Sequence, residues 1–243
     1  MSRPGRDRLV AAFRADSSVR IGSGHVMRCL TLADELKRRG WRCHFLTRDF
    51  PGALVGQIGA AGHEVHLLAA PPGPPLADEG HSGWLGVTLE NDAAECGGVL
   101  ESLGPDLVVV DHYAISAGWE RAARRFAWHM MVIDDLADRD HDCDLLLDQT
   151  LGRTVADYDG LVPADAQVLT GARHALLRPQ FAARRAASLA ARAGRKPANL
   201  LIAVGGHDPD NITERVLRAL SQRPPDWLRC VSVILGSGAP GLE

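Results

Sequence analysis

The chain has 243 residues, 46% of them apolar and 23% charged, with a formal net charge of −3. That balance lacks the basic excess of a dedicated nucleic-acid binder and leaves ample apolar material for a sizeable core. No apolar run approaches the roughly 18 residues that cross a bilayer, and no apolar h-region follows the basic start at residues 1–8, so neither a membrane span nor a signal peptide is expected. The five cysteines, Cys29, Cys43, Cys96, Cys143 and Cys230, form no C-x-x-C pair, which indicates neither a disulfide framework nor a zinc site. The expectation is a soluble, monomeric, cytoplasmic protein.

In chain order, residues 10–13 read as a first strand and a glycine-rich turn, Gly22-Ser23-Gly24, leads into a helix over about 25–39. Val26, Cys29, Leu30, Ala33 and Leu36 fall at helical spacing there, and Lys37, Arg38, Arg39 and Gly40 suit its C-terminal end. Strands follow at 43–47 and 64–68 around a short helix at 54–61. Prolines from 71 to 75 open a surface loop reaching about residue 82. A helix near 89–103 stops at Gly104-Pro105, and the run 107–111 reads as a buried parallel strand with Asp111 at its carboxyl end. Further strands are expected at 130–133 and 144–147. Alternating strands and helices predict a parallel α/β sheet with right-handed crossovers. After a basic, alanine-rich helix at 181–193, a fresh strand at 200–204, a helix from Asn211 to about 220 and a strand at 231–235 begin a second unit. Two strands and one helix do not cover both faces of a sheet, so that unit reads as incomplete.

Five constellations could carry chemistry. The first joins Arg14, Asp16, Gly22, Ser23, Gly24, His25 and Arg28. A strand feeding a glycine-rich turn and a helix N-terminus presents unpaired amides to an anion. A neutral His25 there is what a general base near pH 7 requires. Arg28, one turn on, could hold a carboxylate or phosphate. The same spacing also describes a helix-capping turn with a solvated histidine, and it is not the dinucleotide G-x-G-x-x-G pattern. The second, Asp111-His112-Tyr113, lies where open α/β sheets bind ligands, although an aspartate capping the next turn fits equally. The third, residues 133–139 with His141, Cys143 and Asp144, reads as capping and ion pairing rather than a metal site. The fourth ends an apolar run in Arg178, where a bidentate diphosphate clamp competes with a surface salt bridge. The fifth, Gly205-Gly206-His207-Asp208-Pro209-Asp210-Asn211, is another strand–loop–helix anion site, of the kind that holds a nucleotide between two α/β domains.

In this order, the segments Gly22 to Ala33, Asp111-His112-Tyr113 with Trp119-Glu120, 133–139, 141–149, Ala175 to Pro179 and Gly205 to Asn211 resemble the UDP-2,4-diacetamido-2,4,6-trideoxy-β-L-altropyranose hydrolases of pseudaminic acid biosynthesis. The resemblance spans nearly the whole chain. It implies two Rossmann-like domains of glycosyltransferase-B (GT-B) type. On that reading residues 1–177 form the first domain, 178–197 a connecting helix and linker, and 198–243 the start of a truncated nucleotide-binding domain. It implies metal- and cofactor-free release of UDP from a small UDP-sugar, with His25 as the base activating water at the anomeric carbon and inversion at C1. Gly22, Ser23, Gly24, Arg28, Asp16, Asp111, Tyr113, Arg178, Gly205, Gly206, Asp208 and Asn211 are the substrate-binding expectations. Two departures stand out. His174 occupies a position where the family has tyrosine, and the chain ends at Glu243 where the family continues into a uridine-binding segment. A glycosyltransferase of the same fold and a non-catalytic sugar-nucleotide-binding module remain as other readings of the same residues.

Overall fold

A computed structural model describes residues 8–71, 81–205, 208, 210–236 and 239. Contacts divide the chain into two units, Met1–Leu177 and Arg178–Glu243.

The first unit is a seven-stranded, fully parallel sheet. Its strands are β1 (Val10–Ala15), β2 (Arg42–Arg48), β3 (Glu64–Leu68), β4 (Leu107–Asp111), β5 (His129–Ile133), β6 (Leu145–Asp148) and β7 (Gln167–Thr170). Its helices are α1 (Gly24–Arg38), α2 (Val55–Ala60), α3 (Leu89–Leu103) and α4 (Ala117–Arg124). The spatial order β3-β2-β1-β4-β5-β6-β7 means that the chain winds outward from β1, then returns to start again at β4. β1 and β4 are therefore neighbours whose connections leave in opposite directions, the switch point at which such sheets open a crevice.

Buried parallel strands are apolar on both sides, and successive residues serve opposite faces. Leu46, Val108, Val110, Met130, Val132 and Leu146 pack with Cys96 and Leu100 of α3 and with Trp119 and Ala123 of α4. The alternate residues Phe13, Phe45, Val109, Met131, Ile133 and Leu147 pack with Val26, Cys29, Leu30 and Ala33 of α1 and Ile58 of α2. The helical period expected for residues 25–39 is thus the stripe that α1 buries. Strand β7, helix α4 and a 3-10 turn at Ser82–Leu85 go beyond the sequence reading. β7 is short, at the sheet edge and only partly apolar, so its pattern is weak.

Charges hold the apolar layers in register. Arg14 bridges Asp16 (2.6 and 2.9 Å) and Asp92 (3.0 and 2.7 Å), and Arg48 reaches Asp92 at 2.7 Å. Trp119 Nε1 also donates to Asp92, at 2.9 Å. Arg14, Arg48, Asp16 and Asp92 are all at most 1% exposed. Burial penalises the Asp92 charge, but Arg14 and Arg48 outweigh it and bring its pKa down to about 2. The network ties α3 and α4 to the ends of β1 and β2.

The second unit pairs β8 (Asn199–Ile202) with β9 (Cys230–Val233) in parallel, accompanied by α5 (Pro179–Arg192) and α6 (Ile212–Gln222). Gly206, His207 and Pro209 of the second glycine loop, with residues 72–80, 237, 238 and 240–243, lie outside the described residues. All five cysteines are free, four of them buried. Among the described residues no helix is long and apolar enough to cross a membrane.

Removing Asp92 leaves two buried guanidiniums without their shared counter-charge. Asp92→Ala is expected to cost about 3–5 kcal/mol, read as a lowered urea midpoint; an unchanged midpoint would show that the network does not support the fold.

Candidate functional site

Five loops at the carboxyl end of the sheet, after β1, β3, β4, β5 and β6, build one polar cavity. The first begins after β1, where Ser18 and Gly22 form a small backbone bridge (Gly22 N to Ser18 O, 2.8 Å) and Ser18 Oγ accepts from Ile21 N at 2.9 Å. Gly22 takes φ +81°, a left-handed conformation that a side chain would strain. Ser23 is the N-cap of α1 without a side-chain cap bond, so the first amides of the helix are left for water or a ligand. A Cβ on Gly24 would meet nothing within 4 Å; its bare backbone faces open space.

Beside the turn, His25, Asp111 and Arg28 form a buried hydrogen-bonded cluster. His25 Nδ1 lies 2.6 Å from Asp111 Oδ1 at the end of β4. Arg28 grips the same carboxylate with two bonds, Nε to Oδ2 at 2.6 Å and Nη2 to Oδ1 at 2.7 Å. Asp111 is fully buried. Burial alone would raise its pKa, yet the Arg28 hydrogen bonds and the neighbouring His25 carry it down to about 2, so it is an anion at any working pH. An anionic carboxylate accepts from Nδ1–H, which leaves the lone pair of His25 on Nε2. Arg28 reaches on to Asp135 after β5. The Tyr113 hydroxyl donates to Asp135 at 2.9 Å, and the Tyr113 ring stands edge-on to His25, with centroids 4.5 Å apart. Burial, then the Asp135 charge, pushes the Tyr113 phenol above its ordinary range. Tyr113 is thus a protonated donor.

Ile21, Gly24, His25, Arg28, Trp84, Tyr113, Asp135 and Gln149 line a cavity of about 350 Å³. Ile21 and Trp84 separate it from an apolar cavity of about 410 Å³ lined also by Val19, Phe50, Pro51 and Pro71. His81, Trp84 and Tyr113 pack ring against ring along the wall.

The expected residues distribute as follows. His25, Gly24, Arg28 and Tyr113 line the cavity; Asp111 lies behind it, occupied by His25 and Arg28. Gly22 and Ser23 shape the turn. Asp16 lies outside the lining, fully buried, accepting from Arg14 and from the Arg48 amide at 2.7 Å, with His112 Nε2 3.4 Å away. Its oxygens serve the scaffold. Arg178, Gly205, Asp208 and Asn211 belong to the second unit. Arg178 is exposed and stacks over Phe181 with its guanidinium 5.7 Å from the ring centre. Asp208 caps α6, accepting from the amides of Ile212 and Thr213 at 2.8 Å each, and Asn211 donates to Glu214. Gly205 sits at φ +97°; Gly206 is outside the described residues.

The acidic run 133–144 is scaffold apart from Asp135, which lines the cavity. Tyr158 OH bridges Asp134 and Asp148 at 2.9 Å each, Arg139 pairs with Asp134 at 2.9 Å, and His141 meets Glu120 at 2.8 Å. Ile21, Trp84 and Gln149 are lining residues that sequence reasoning did not single out as site residues. Gln149 alone carried a signal, the position immediately after the Asp148 strand end.

No family model matches the chain. It is 26% identical over 231 residues to the UDP-2,4-diacetamido-2,4,6-trideoxy-β-L-altropyranose hydrolase of Campylobacter jejuni, covering 95% of this chain and 71% of that one. An uncharacterized protein of Methanocaldococcus jannaschii is 22% identical over 227 residues, which is 93% of this chain and 42% of the other. Among solved structures, MurG of Acinetobacter baumannii superposes with a TM-score of 0.52 at 14% identity, over 94% of this chain and 67% of that one. The last likeness is one of fold, the GT-B glycosyltransferase architecture. The similarity to the hydrolase spans the same stretch of chain that the ordered motifs cover.

Asp92 and Asp111 both have folded-state pKa values of about 2 against 3.8 for the free group. A depressed carboxylate pKa stabilises the fold above the unfolded value and loses that contribution as pH falls through the folded one. Stability is therefore expected to be complete above about pH 5 and to drop between about pH 4 and pH 2. Urea midpoints across that range check it, and Asp111→Asn should flatten the acid limb; an equally steep limb in that variant would refute the assignment.

Proposed function

We propose that this protein hydrolyses UDP-2,4-diacetamido-2,4,6-trideoxy-β-L-altropyranose to UDP and the free 2,4-diacetamido-2,4,6-trideoxy-L-altrose. The observation that carries the reading is the His25–Asp111 contact of 2.6 Å beside an open cavity, in a chain similar over 95% of its length to a hydrolase of that substrate.

The chemistry follows from the tautomer. With Nδ1–H held by Asp111, Nε2 accepts a proton from water as the water oxygen attacks C1. The new C1–O bond forms on the face opposite the leaving group, and the C1–O bond to the diphosphate breaks with its electron pair passing to UDP. One displacement gives inversion at C1, the stereochemical logic of inverting glycoside hydrolysis. Asp111 stabilises the imidazolium without taking its proton, as the aspartate of a Ser-His-Asp triad does. On this reading the first amides of α1, with Arg28 behind them, take up the charge that develops on the departing phosphate. Tyr113, whose own proton is held by Asp135, accepts from a sugar hydroxyl or an acetamide N–H. None of these steps requires a metal.

The apolar cavity beyond Ile21 and Trp84 suits the rest of the substrate. A 6-deoxy sugar with two acetamido groups carries three methyl groups, and burying apolar surface against Trp84, Phe50 and Pro51 stabilises the complex by about 0.8 kcal/mol per carbon. From the sequence resemblance alone, the same proposal assigns Arg178, Gly205, Asp208 and Asn211 of the second unit to the nucleotide.

The direct test is NMR of the purified chain with the UDP-sugar in ¹⁸O-water. UDP, free sugar and label in the sugar are expected. Label in UDP would mean attack at phosphorus, and sugar passed to an added acceptor without free sugar would mean a glycosyltransferase.

His25→Asn is expected to lower kcat by about 10²–10⁴ with the circular dichroism unchanged, because His25 sits on a loop-to-helix junction. Asp111→Asn presents an amide that can hold the wrong tautomer and should lose about 10³-fold or more. Trp84→Ala should raise KM several-fold with kcat nearly intact, since it removes binding common to ground and transition states. A fall confined to kcat would place Trp84 in the chemical step instead.

A further inference from the structure

At the opposite edge of the sheet, β2 and β3 bring three ligand-bearing side chains to one point. The parallel register sets His44 against Glu64 and Leu46 against His66, so His44, Glu64 and His66 share one face, alternate residues along each strand. His44 Nδ1 lies 3.1 Å from His66 Nε2 and 3.4 Å from Glu64 Oε2, and one donor atom from each residue falls within a 4.8 Å span. The His44 ring is buried; Glu64 is 65% exposed, which leaves one side open to solvent.

We propose that His44, Glu64 and His66 form a binding site for a divalent transition-metal ion of the zinc class, which fastens the edge strand β3 to the body of the sheet. Two ring nitrogens and a carboxylate oxygen are the donor set that zinc, cobalt and nickel prefer, whereas a single oxygen does not hold calcium or magnesium. A tetrahedral ion with bonds of about 2.0–2.1 Å separates its ligand atoms by about 3.3–3.4 Å, and the two separations at His44 straddle that value. The three protein ligands leave a fourth position for water on the exposed side. A metal binds imidazole nitrogens only in their deprotonated form, so binding weakens in acid.

This site stands apart from the His25 cavity. His44 lies about three residues, or roughly 10 Å, along the strand direction from the level of Asp111, and His66 lies three strands away, roughly 14 Å across the sheet. The ion therefore acts on stability and not on the displacement at C1. β3 is an edge strand, held on one side only, by β2, and a ligand bound only by the folded state raises the unfolding free energy with its concentration.

Cobalt(II) and zinc(II) titrated separately into metal-stripped protein test the assignment. One equivalent of cobalt should develop the intense visible bands of a four-coordinate site, and zinc should abolish them and raise Tm in proportion to the logarithm of its concentration. His66→Asn should weaken zinc at least tenfold and Glu64→Gln by a smaller factor. His129→Asn, an exposed histidine on β5, should change nothing. All three variants should keep the wild-type circular dichroism. Equal zinc affinity in wild type and His66→Asn, or no stoichiometric binding to either, overturns the proposal.

Discussion

The carboxylate of Asp111 organises the carboxyl end of the sheet. It ends β4, the strand at which the winding of the chain reverses, and it is fully buried with His25 and Arg28 on its two oxygens. A buried anion is unfavourable unless it is paired and hydrogen-bonded. The pairing can be met only if the first turn of α1 lies over β4, so a single charge fixes the glycine turn, the start of the helix and the tautomer of His25 together. Arg28 extends the same constraint through Asp135 to the loop after β5, and Tyr113 closes it from the loop after β4.

A second charge network supports the first from the other side of the sheet. Arg14, Asp16, Arg48 and Asp92 are held by one another with almost no exposure. Asp16 follows β1 directly, so the loop that carries His25 leaves from a residue whose side chain cannot move without stranding Arg14. Reactive groups perform best when the shell behind them is rigid. Here the rigidity comes from ion pairs whose partners lie far apart in sequence, as with Arg14 and Asp92, 78 residues apart.

Sequence reasoning reached the parts of this arrangement that are local or periodic. The apolar runs 107–111 and 130–133 and the helical stripe from Val26 to Leu36 declare themselves by spacing alone. His25 stands out because glycines precede it at a strand-to-helix turn. Asp16 and Asp111 were legible as acids at strand ends but not by role, because role depends on which cation the fold delivers to them. Trp84 was hidden for the same reason: it comes from a short 3-10 turn in a stretch without periodicity, and only the packing of His81, Trp84 and Tyr113 shows its place. Trp119 and Glu120 carried the resemblance as a motif, yet both are scaffold, one bonding Asp92 and the other His141. The His44–Glu64–His66 cluster has no sequence spacing to notice, since it exists only through the β2–β3 register.

The choice of water over an acceptor hydroxyl rests on what can fill the space beside Nε2. A histidine held by Asp111 would deprotonate either nucleophile, and the GT-B architecture serves transferases as well. An acceptor sugar needs hydrogen-bond partners for several hydroxyls, since a buried hydroxyl left unpaired costs about 1–3 kcal/mol. The cavity adjoining the His25 site is walled mainly by Val19, Ile21, Phe50, Pro51, Pro71 and Trp84, which offer methyl and ring surface, with Ser18 and Arg20 as its polar side chains. Such a wall rewards the methyl groups of a deoxy, acetamido donor sugar and penalises a polar acceptor in the same place. On the proposed reading the donor sits there, and the polar cavity at Gly24, Arg28, Tyr113 and Gln149 is left for the diphosphate and for a water nucleophile.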